Sequence, residues 1–174
     1  MLIEIAKQQL RKAGWYEGRK IDLTKYEEGY AKLGCELFPS ARKFLEEYGD
    51  LDIQDKYIST ATYENGDHFI VINRSLIDVA YCCCPRDLKL EEMVDGLFHQ
   101  KILRVGAIDQ GEMNIFISED GRFFTNWNSV GLWAENSDQL WNEYYGEDYG
   151  WATWNDLKAG KGRTMFKKEI EKYL

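Results

Sequence analysis

The clearest hairpin pattern in this chain lies at residues 58–72, which read ISTATYENGDHFIVI. Residues with high β propensity alternate from Ile58 to Tyr63 and resume from Phe69 to Ile72. Between the two runs stands Asn65-Gly66, a dipeptide that readily adopts the left-handed backbone conformations of a tight turn. The pattern therefore predicts two antiparallel strands joined by this turn.

Three further strand patterns follow at residues 102–105, 113–117 and 122–125. The last two are separated by Asp120-Gly121, a second dipeptide that is typical of tight turns. Because antiparallel strands can be joined by such short connections, these segments predict an antiparallel meander.

Helical spacing of apolar residues precedes, separates and follows the strands. A first amphipathic pattern stops at Gly14, and a third begins near Ser40 and ends at Gly49. A second helix follows Thr24, whose hydroxyl and the carboxylate of Glu27 have the spacing of a capping box. Three more helices are predicted at residues 88–98, 137–145 and 165–174.

The order of these elements indicates an α+β fold, because helices surround runs of strands without β-α-β alternation. The chain has 174 residues, of which 44% are hydrophobic, and this is enough for one compact core. We therefore predict a single domain spanning residues 1–174, an antiparallel sheet flanked by helices. Its C-terminal part, residues 127–174, is rich in tryptophan and acidic residues.

Composition also bears on location and partner. Glu4 and Lys7 interrupt the apolar run that a signal peptide would need, and no later stretch approaches the length of a membrane span, so we expect a cytoplasmic protein without membrane contact. The formal net charge of −8 disfavours direct binding of nucleic acid and favours a basic partner. An acidic balance that only keeps the protein soluble is the alternative.

The candidate catalytic groups are few, and each has a simple structural explanation. The two histidines, His68 and His99, lack further ligands at metal-binding spacing. Asp109 and Glu112 lie in a loop whose composition is typical of a turn. The run from Cys82 to Cys84 has no adjacent Lys or His to stabilise a thiolate. We therefore predict no catalytic residues, no metal and no cofactor, with a thiol- or metal-dependent enzyme at these cysteines as the less favoured alternative.

The segment 123–157 contains no Lys or Arg, and its composition predicts a surface that binds a partner. It holds six carboxylates and five tryptophans, Trp127, Trp133, Trp141, Trp151 and Trp154. Aromatic anchors beside carboxylates are typical of binding hot spots for a cationic partner. The predicted contact residues are Asp138, Trp141, Glu143, Tyr144, Tyr145, Glu147 and Asp148. Burial of the tryptophans in the core is the alternative.

A family resemblance rests on two groups of motif residues. The first is Ala13-Gly14-Trp15-Tyr16-Glu17-Gly18-Arg19, followed by Asp22, and the second is Gly111-Glu112-Met113 leading to Ser118-Glu119-Asp120-Gly121-Arg122-Phe123-Phe124. With the order of elements between them, they resemble the third family of the SUKH superfamily of bacterial immunity proteins, over roughly residues 1 to 145. We expect eight residues of these motifs to have structural rather than chemical roles. They are Gly14, Trp15, Gly18, Arg19, Gly111, Glu112, Asp120 and Gly121.

The resemblance implies a SUKH-like fold and an immunity function. Proteins of this kind bind and block a toxin of a polymorphic toxin system, often a nuclease or a nucleic-acid deaminase. It therefore implies a cognate toxin domain as partner and stoichiometric, non-catalytic binding. An intracellular scaffold or regulatory adaptor with the same fold is the alternative within the superfamily.

Overall fold

The computed structural model describes residues 1–126 and 130–174, except for the side chains of residues 170–172. It confirms the α+β class. The helices are α1 (Glu4–Lys12), α2 (Thr24–Lys32), α3 (Pro39–Tyr48), α4 (Val79–Cys82), α5 (Leu88–Phe98), α6 (Ser137–Tyr145) and α7 (Trp154–Lys158).

The strands form one curled antiparallel sheet. They are β1 (Leu51–Thr62), β2 (His68–Ile77), β3 (Ile102–Ile108), β4 (Met113–Ser118), β5 (Phe123–Thr125), β6 (Gly131–Ala134), β7 (Asp148–Thr153), β8 (Thr164–Lys167) and β9 (Ile170–Tyr173). Their spatial order is β8-β7-β6-β5-β4-β3-β2-β1-β9. Strands β1 to β8 thus follow chain order as a meander, and β9 returns to pair with β1.

The two faces of the sheet bury separate cores, because side chains alternate along each strand. Ile115 and Ile117 of β4 join the larger core, which helices α1, α2, α3 and α6 cover. Phe116, between them in sequence, points to the opposite face. There it packs with Leu90 and Val94 of α5, and Trp154 of α7 contacts the same cluster.

The C-terminal segment joins the two ends of the strand order. Strand β8 pairs with β7 at one end, β9 pairs with β1 at the other, and only Lys168 and Glu169 separate β8 from β9. The Lys168 backbone N–H donates to the Glu147 carbonyl at 2.8 Å. A single short segment therefore holds both ends of the sheet.

A buried ion pair attaches this segment to α6. The Arg163 guanidinium contacts the Glu143 carboxylate, and the side chains of both residues are 8% exposed. The same carboxylate oxygen accepts a hydrogen bond of 2.7 Å from the Gly150 backbone N–H. Glu143 thus binds both β7 and the residue that leads into β8.

The structure corrects two predictions about helices. Residues 165–174, predicted as a helix, form the two strands β8 and β9. Pairing with distant strands outweighs the local helical spacing there, and the β8 side chains are all exposed, so no apolar face is buried as a helix would require. The capping box at Thr24 is also wrong. Leu23 is the N-cap residue, and the Thr24 N–H and hydroxyl donate to the Asp22 carboxylate at 2.9 and 2.7 Å.

The hairpin, the meander and the other five predicted helices are confirmed, α5 and α6 with the predicted bounds and the others with longer or shifted ones. Strand β1 begins at Leu51, well before the predicted residue 58. Strands β6 and β7 and the short helices α4 and α7 were not predicted. Each of them has six residues or fewer, too few for a clear periodic pattern.

The buried ion pair gives a stability prediction. Replacement R163A leaves the Glu143 carboxylate buried without its cation, so we expect the free energy of unfolding to fall by about 3 to 5 kcal/mol. The double variant E143Q/R163M keeps an acceptor for Gly150 and should recover much of this loss. The exposed pair of Lys161 and Asp156 is the control, since K161A should cost less than about 1 kcal/mol. Urea unfolding measures all three, and equal losses for R163A and K161A would contradict the expectation.

Candidate functional site

The first group of motif residues fixes the connection between α1 and α2. Gly14 and Gly18 adopt positive φ angles of 98° and 77°. Between them Trp15 is buried, and its indole N–H donates to the Glu47 carboxylate at 3.2 Å. The Arg19 guanidinium donates to the Glu47 backbone carbonyl at 2.7 Å. These contacts hold the connection against the end of α3, which is a structural role.

The second group of motif residues shapes two turns of the meander. Gly111 has a φ of 93°, and the Tyr81 ring would lie 3.1 Å from a β carbon there. Glu112, beside it, is exposed. In the β4–β5 turn, Asp120 accepts hydrogen bonds from the Ser118 hydroxyl at 2.6 Å and from Arg122 Nε at 2.9 Å, and Gly121 follows with a φ of 90°.

Burial corrects part of the predicted contact surface. Trp141, Glu143 and Tyr145 are buried, so they do not present a surface to a partner. Trp141 lies between Tyr48 and Tyr145 in the larger core, and Tyr144 is half-buried against Trp133. Of the predicted set, Glu147 and Asp148 are exposed and Asp138 is partly exposed.

Folding also brings cations to the acidic segment. The Met1 ammonium lies 2.7 Å from the Asp138 carboxylate, and Lys167 stands opposite Asp148 in the β7–β8 register. Arg163 forms an ion pair with Glu143, and the Lys161 ammonium lies 3.6 Å from the Asp156 carboxylate. The one-sided charge of residues 123–157 in sequence is thus partly balanced by residues outside that segment.

The tryptophans of this segment serve mainly as packing residues. Trp133 and Trp141 are buried, while Trp151 and Trp154 are half-buried against the two cores. Trp127 lies outside the described residues. The alternative that these tryptophans belong to the core therefore holds for Trp133 and Trp141.

A buried polar cluster lies beneath the C-terminal segment. The Tyr145 hydroxyl donates to the Asp55 carboxylate at 3.0 Å, and the other Asp55 oxygen has no hydrogen-bond partner. Burial raises the pKa of Asp55 to about 6, against the opposing effects of Tyr145 and Lys12. Lys168 donates to the Tyr144 carbonyl, and burial lowers its pKa to about 8.

The cysteines and histidines occupy structural positions. Cys82 is buried, and burial raises the pKa of its thiol. Burial and the neighbouring Cys84 raise the pKa of Cys83 to about 11. His99 caps α5 in a left-handed conformation, and His68 Nδ1 lies 2.8 Å from the Ser59 carbonyl oxygen. Among the described residues, no three His, Cys, Asp or Glu side chains form a group that could hold a metal ion.

An exposed apolar arm, residues 57–73, lies at the far end of the β1–β2 hairpin and was not predicted from the sequence. Tyr63, Ile70 and Ile72 are 54%, 61% and 52% exposed. The Tyr63 ring packs against Phe69 with centroids 3.9 Å apart. The signal was the uninterrupted apolar run of residues 69–72, because an antiparallel strand with one covered face should alternate with polar residues.

The arm also has a partly unpaired strand edge. Strands β2 and β3 share only one register position, Leu76 opposite Ala107. The Gln110 side chain donates to the Ile72 carbonyl at 3.1 Å from the side opposite β1. Beside this contact lies a surface groove of about 420 Å³ lined by Gln54, Ile72, Arg74, Leu76, Tyr81 and Gln110.

The buried Asp55 predicts how stability depends on pH. Its pKa in the folded state is raised above the ordinary aspartate value of about 4, so its contribution to stability is fully present below about pH 4 and is lost as pH rises through about 6. Relative to D55N, the wild-type protein should therefore lose roughly 2 to 3 kcal/mol of unfolding free energy between these pH values. Urea midpoints of both proteins at pH 4.5 and 7.5 measure this, and parallel pH profiles would contradict it.

Among the described residues, no helix combines the length and apolar character needed to cross a membrane. No curated protein and no solved structure gave a significant match. The family model described as SUKH-3 immunity protein matches residues 4–145, which include both groups of motif residues and end at the last residue of α6. This match confirms the resemblance, and the chain belongs to the SUKH-3 immunity protein family.

Proposed function

We propose that this protein neutralises a cognate bacterial toxin by binding it stoichiometrically, without catalysing a reaction. The observation that carries the proposal is family membership over residues 4–145, because immunity is the function for which the family is named. The motif residues of that match hold turns and connections together, as the contacts of Trp15 and Arg19 with Glu47 illustrate. They supply a scaffold rather than a reaction centre.

The charge of the protein supports a basic toxin. At a net charge of −8 the chain would attract a cationic enzyme and repel the nucleic acid on which such an enzyme acts. We therefore propose a nuclease or a nucleic-acid deaminase as the toxin class, and the cytoplasm as the place where it is blocked. The exposed carboxylates Asp138, Glu147 and Asp148 would contribute to the association rate rather than to a packed interface.

The thiol chemistry supports binding rather than catalysis. A cysteine nucleophile needs a thiolate, yet burial raises the pKa of Cys82 and Cys83. The Cys84 thiol lies 2.8 Å from the Ala80 carbonyl oxygen, a contact within its own turn. The cysteine run therefore suits packing between α4 and its neighbours better than attack on a substrate.

Neutralisation can be measured with a candidate toxin domain, chosen from the genes that neighbour the gene for this protein. Co-expression of the protein should restore growth of cells that produce the toxin domain, and an equimolar amount of purified protein should abolish the toxin's activity in vitro. A variant with Cys82, Cys83 and Cys84 replaced by Ser should still neutralise at temperatures where it stays folded. Loss of neutralisation in the folded triple variant would favour the thiol enzyme, and failure of the wild-type protein would overturn the proposal.

Charge reversal tests the exposed carboxylates. The variant E147K/D148K should associate with the toxin about tenfold more slowly at low salt and depend less on salt, because steering acts on the association rate. The variant E17K/E36K has the same net charge and is the matched control, since both of its positions are exposed and outside the predicted contact set. Equal rates for the two variants would show that only net charge matters.

A further inference from the structure

We propose that the arm, residues 57–73, is the docking element for the toxin, and that an extended toxin segment pairs with the free edge of β2. This inference rests on the proposed function and adds the location and mode of binding. Four observations carry it: exposed apolar side chains, an unpaired backbone edge, the adjoining groove and the local charge.

The first observation is apolar exposure. Ile70 and Ile72 lie on one face of β2, since residues two apart on a strand share a face. Both are more than half exposed, and Tyr63 at the turn is exposed to a similar degree. Two β-branched residues on one strand offer a partner strand side chains to pack against.

The second observation is the direction of the backbone groups. The Ile72 carbonyl points away from β1. On that far side it accepts a hydrogen bond from the Gln110 side chain. Because backbone groups that point to one side recur at every second residue, the N–H and C=O groups of His68 and Ile70 point the same way. No strand of the described chain pairs with His68 or Ile70 on that side. These groups are the donors and acceptors that strand addition uses.

The strand edge also lacks the usual protection against pairing. Exposed edges are commonly blocked by Lys, Pro or an inward-pointing charge. Residues 69–72 contain none of these. Among the described residues, the Gln110 side chain covers one carbonyl of this edge, and it lines the groove beside Ile72. A partner strand could replace this contact with a backbone N–H and place a side chain in the groove next to Tyr81.

The charge of the arm favours a cationic partner segment. Residues 57–73 contain Glu64 and Asp67 but no Lys or Arg. The nearest cations along the chain are Lys56 and Arg74, and Arg74 is bound to the Asp52 carboxylate at 2.7 Å. The arm therefore suits an extended segment that alternates apolar residues with Lys or Arg.

The test measures binding of a catalytically inactivated form of the candidate toxin domain that is used in the growth assay. I70P removes the N–H that points to the free edge without removing a bond to β1, so the variant should fold. We expect it to bind about 30-fold more weakly than the wild-type protein. The variant I70S/I72S removes only the apolar contacts and should also weaken binding. L88S removes an equally exposed leucine on α5 and should bind like the wild-type protein.

Amide hydrogen exchange in the complex separates strand addition from simple coverage. Strand addition should slow exchange of the Ile70 and Ile72 amides, which lack a partner in β1, while coverage alone would not select alternate residues. If the wild-type protein binds and I70P and I70S/I72S bind equally well, the arm is not the docking element, although the proposed function stands. If the wild-type protein does not bind, both proposals fail. If I70P disrupts a dimer of this chain without changing toxin affinity, the edge serves self-association and this inference is overturned.

Discussion

The fold depends on how the short C-terminal segment holds both ends of the strand order. Strand β8 pairs with β7, strand β9 pairs with β1, and only two residues separate β8 from β9. Those two residues cannot reach between edges that lie far apart, so the sheet must curl until its ends approach each other. The buried contact of Arg163 with Glu143 and the bond from Lys168 to the Tyr144 carbonyl fix the segment to α6. The curl in turn creates a covered face for helices α1, α2, α3 and α6.

The sequence was informative where structure is local. Asn65-Gly66 and Asp120-Gly121 identified both hairpin turns, because a tight turn needs particular residues at particular positions. Helical spacing identified α5 and α6, because the apolar residues that share a helix face are only three or four positions apart. It failed at residues 165–174, where the partners of the two strands are β7 and β1. No local pattern contains the information that such distant segments will pair.

The exposure of individual side chains was harder to predict than the fold. Counting charges in residues 123–157 could not show that Arg163 and the Met1 ammonium would fold back onto Glu143 and Asp138. Counting aromatics could not show which face of α6 would be covered, so Trp141 and Tyr145 were placed at the surface although they are core residues. The arm, by contrast, carried a readable signal in its unbroken apolar run. Its meaning emerged only once the structure showed that Ile70 and Ile72 are more than half exposed.

The position of the C-terminal segment has a consequence for synthesis on the ribosome. Strand β1 is translated before the other strands, whereas its neighbour β9 is translated after β1 to β8. Contacts between segments so far apart in sequence are slow to form, because a long loop must close first. The edge of β1 therefore stays open until β9 has been translated, and the strand order is complete only after the C-terminal segment has left the ribosome. Any function that needs the complete sheet would begin only after this step.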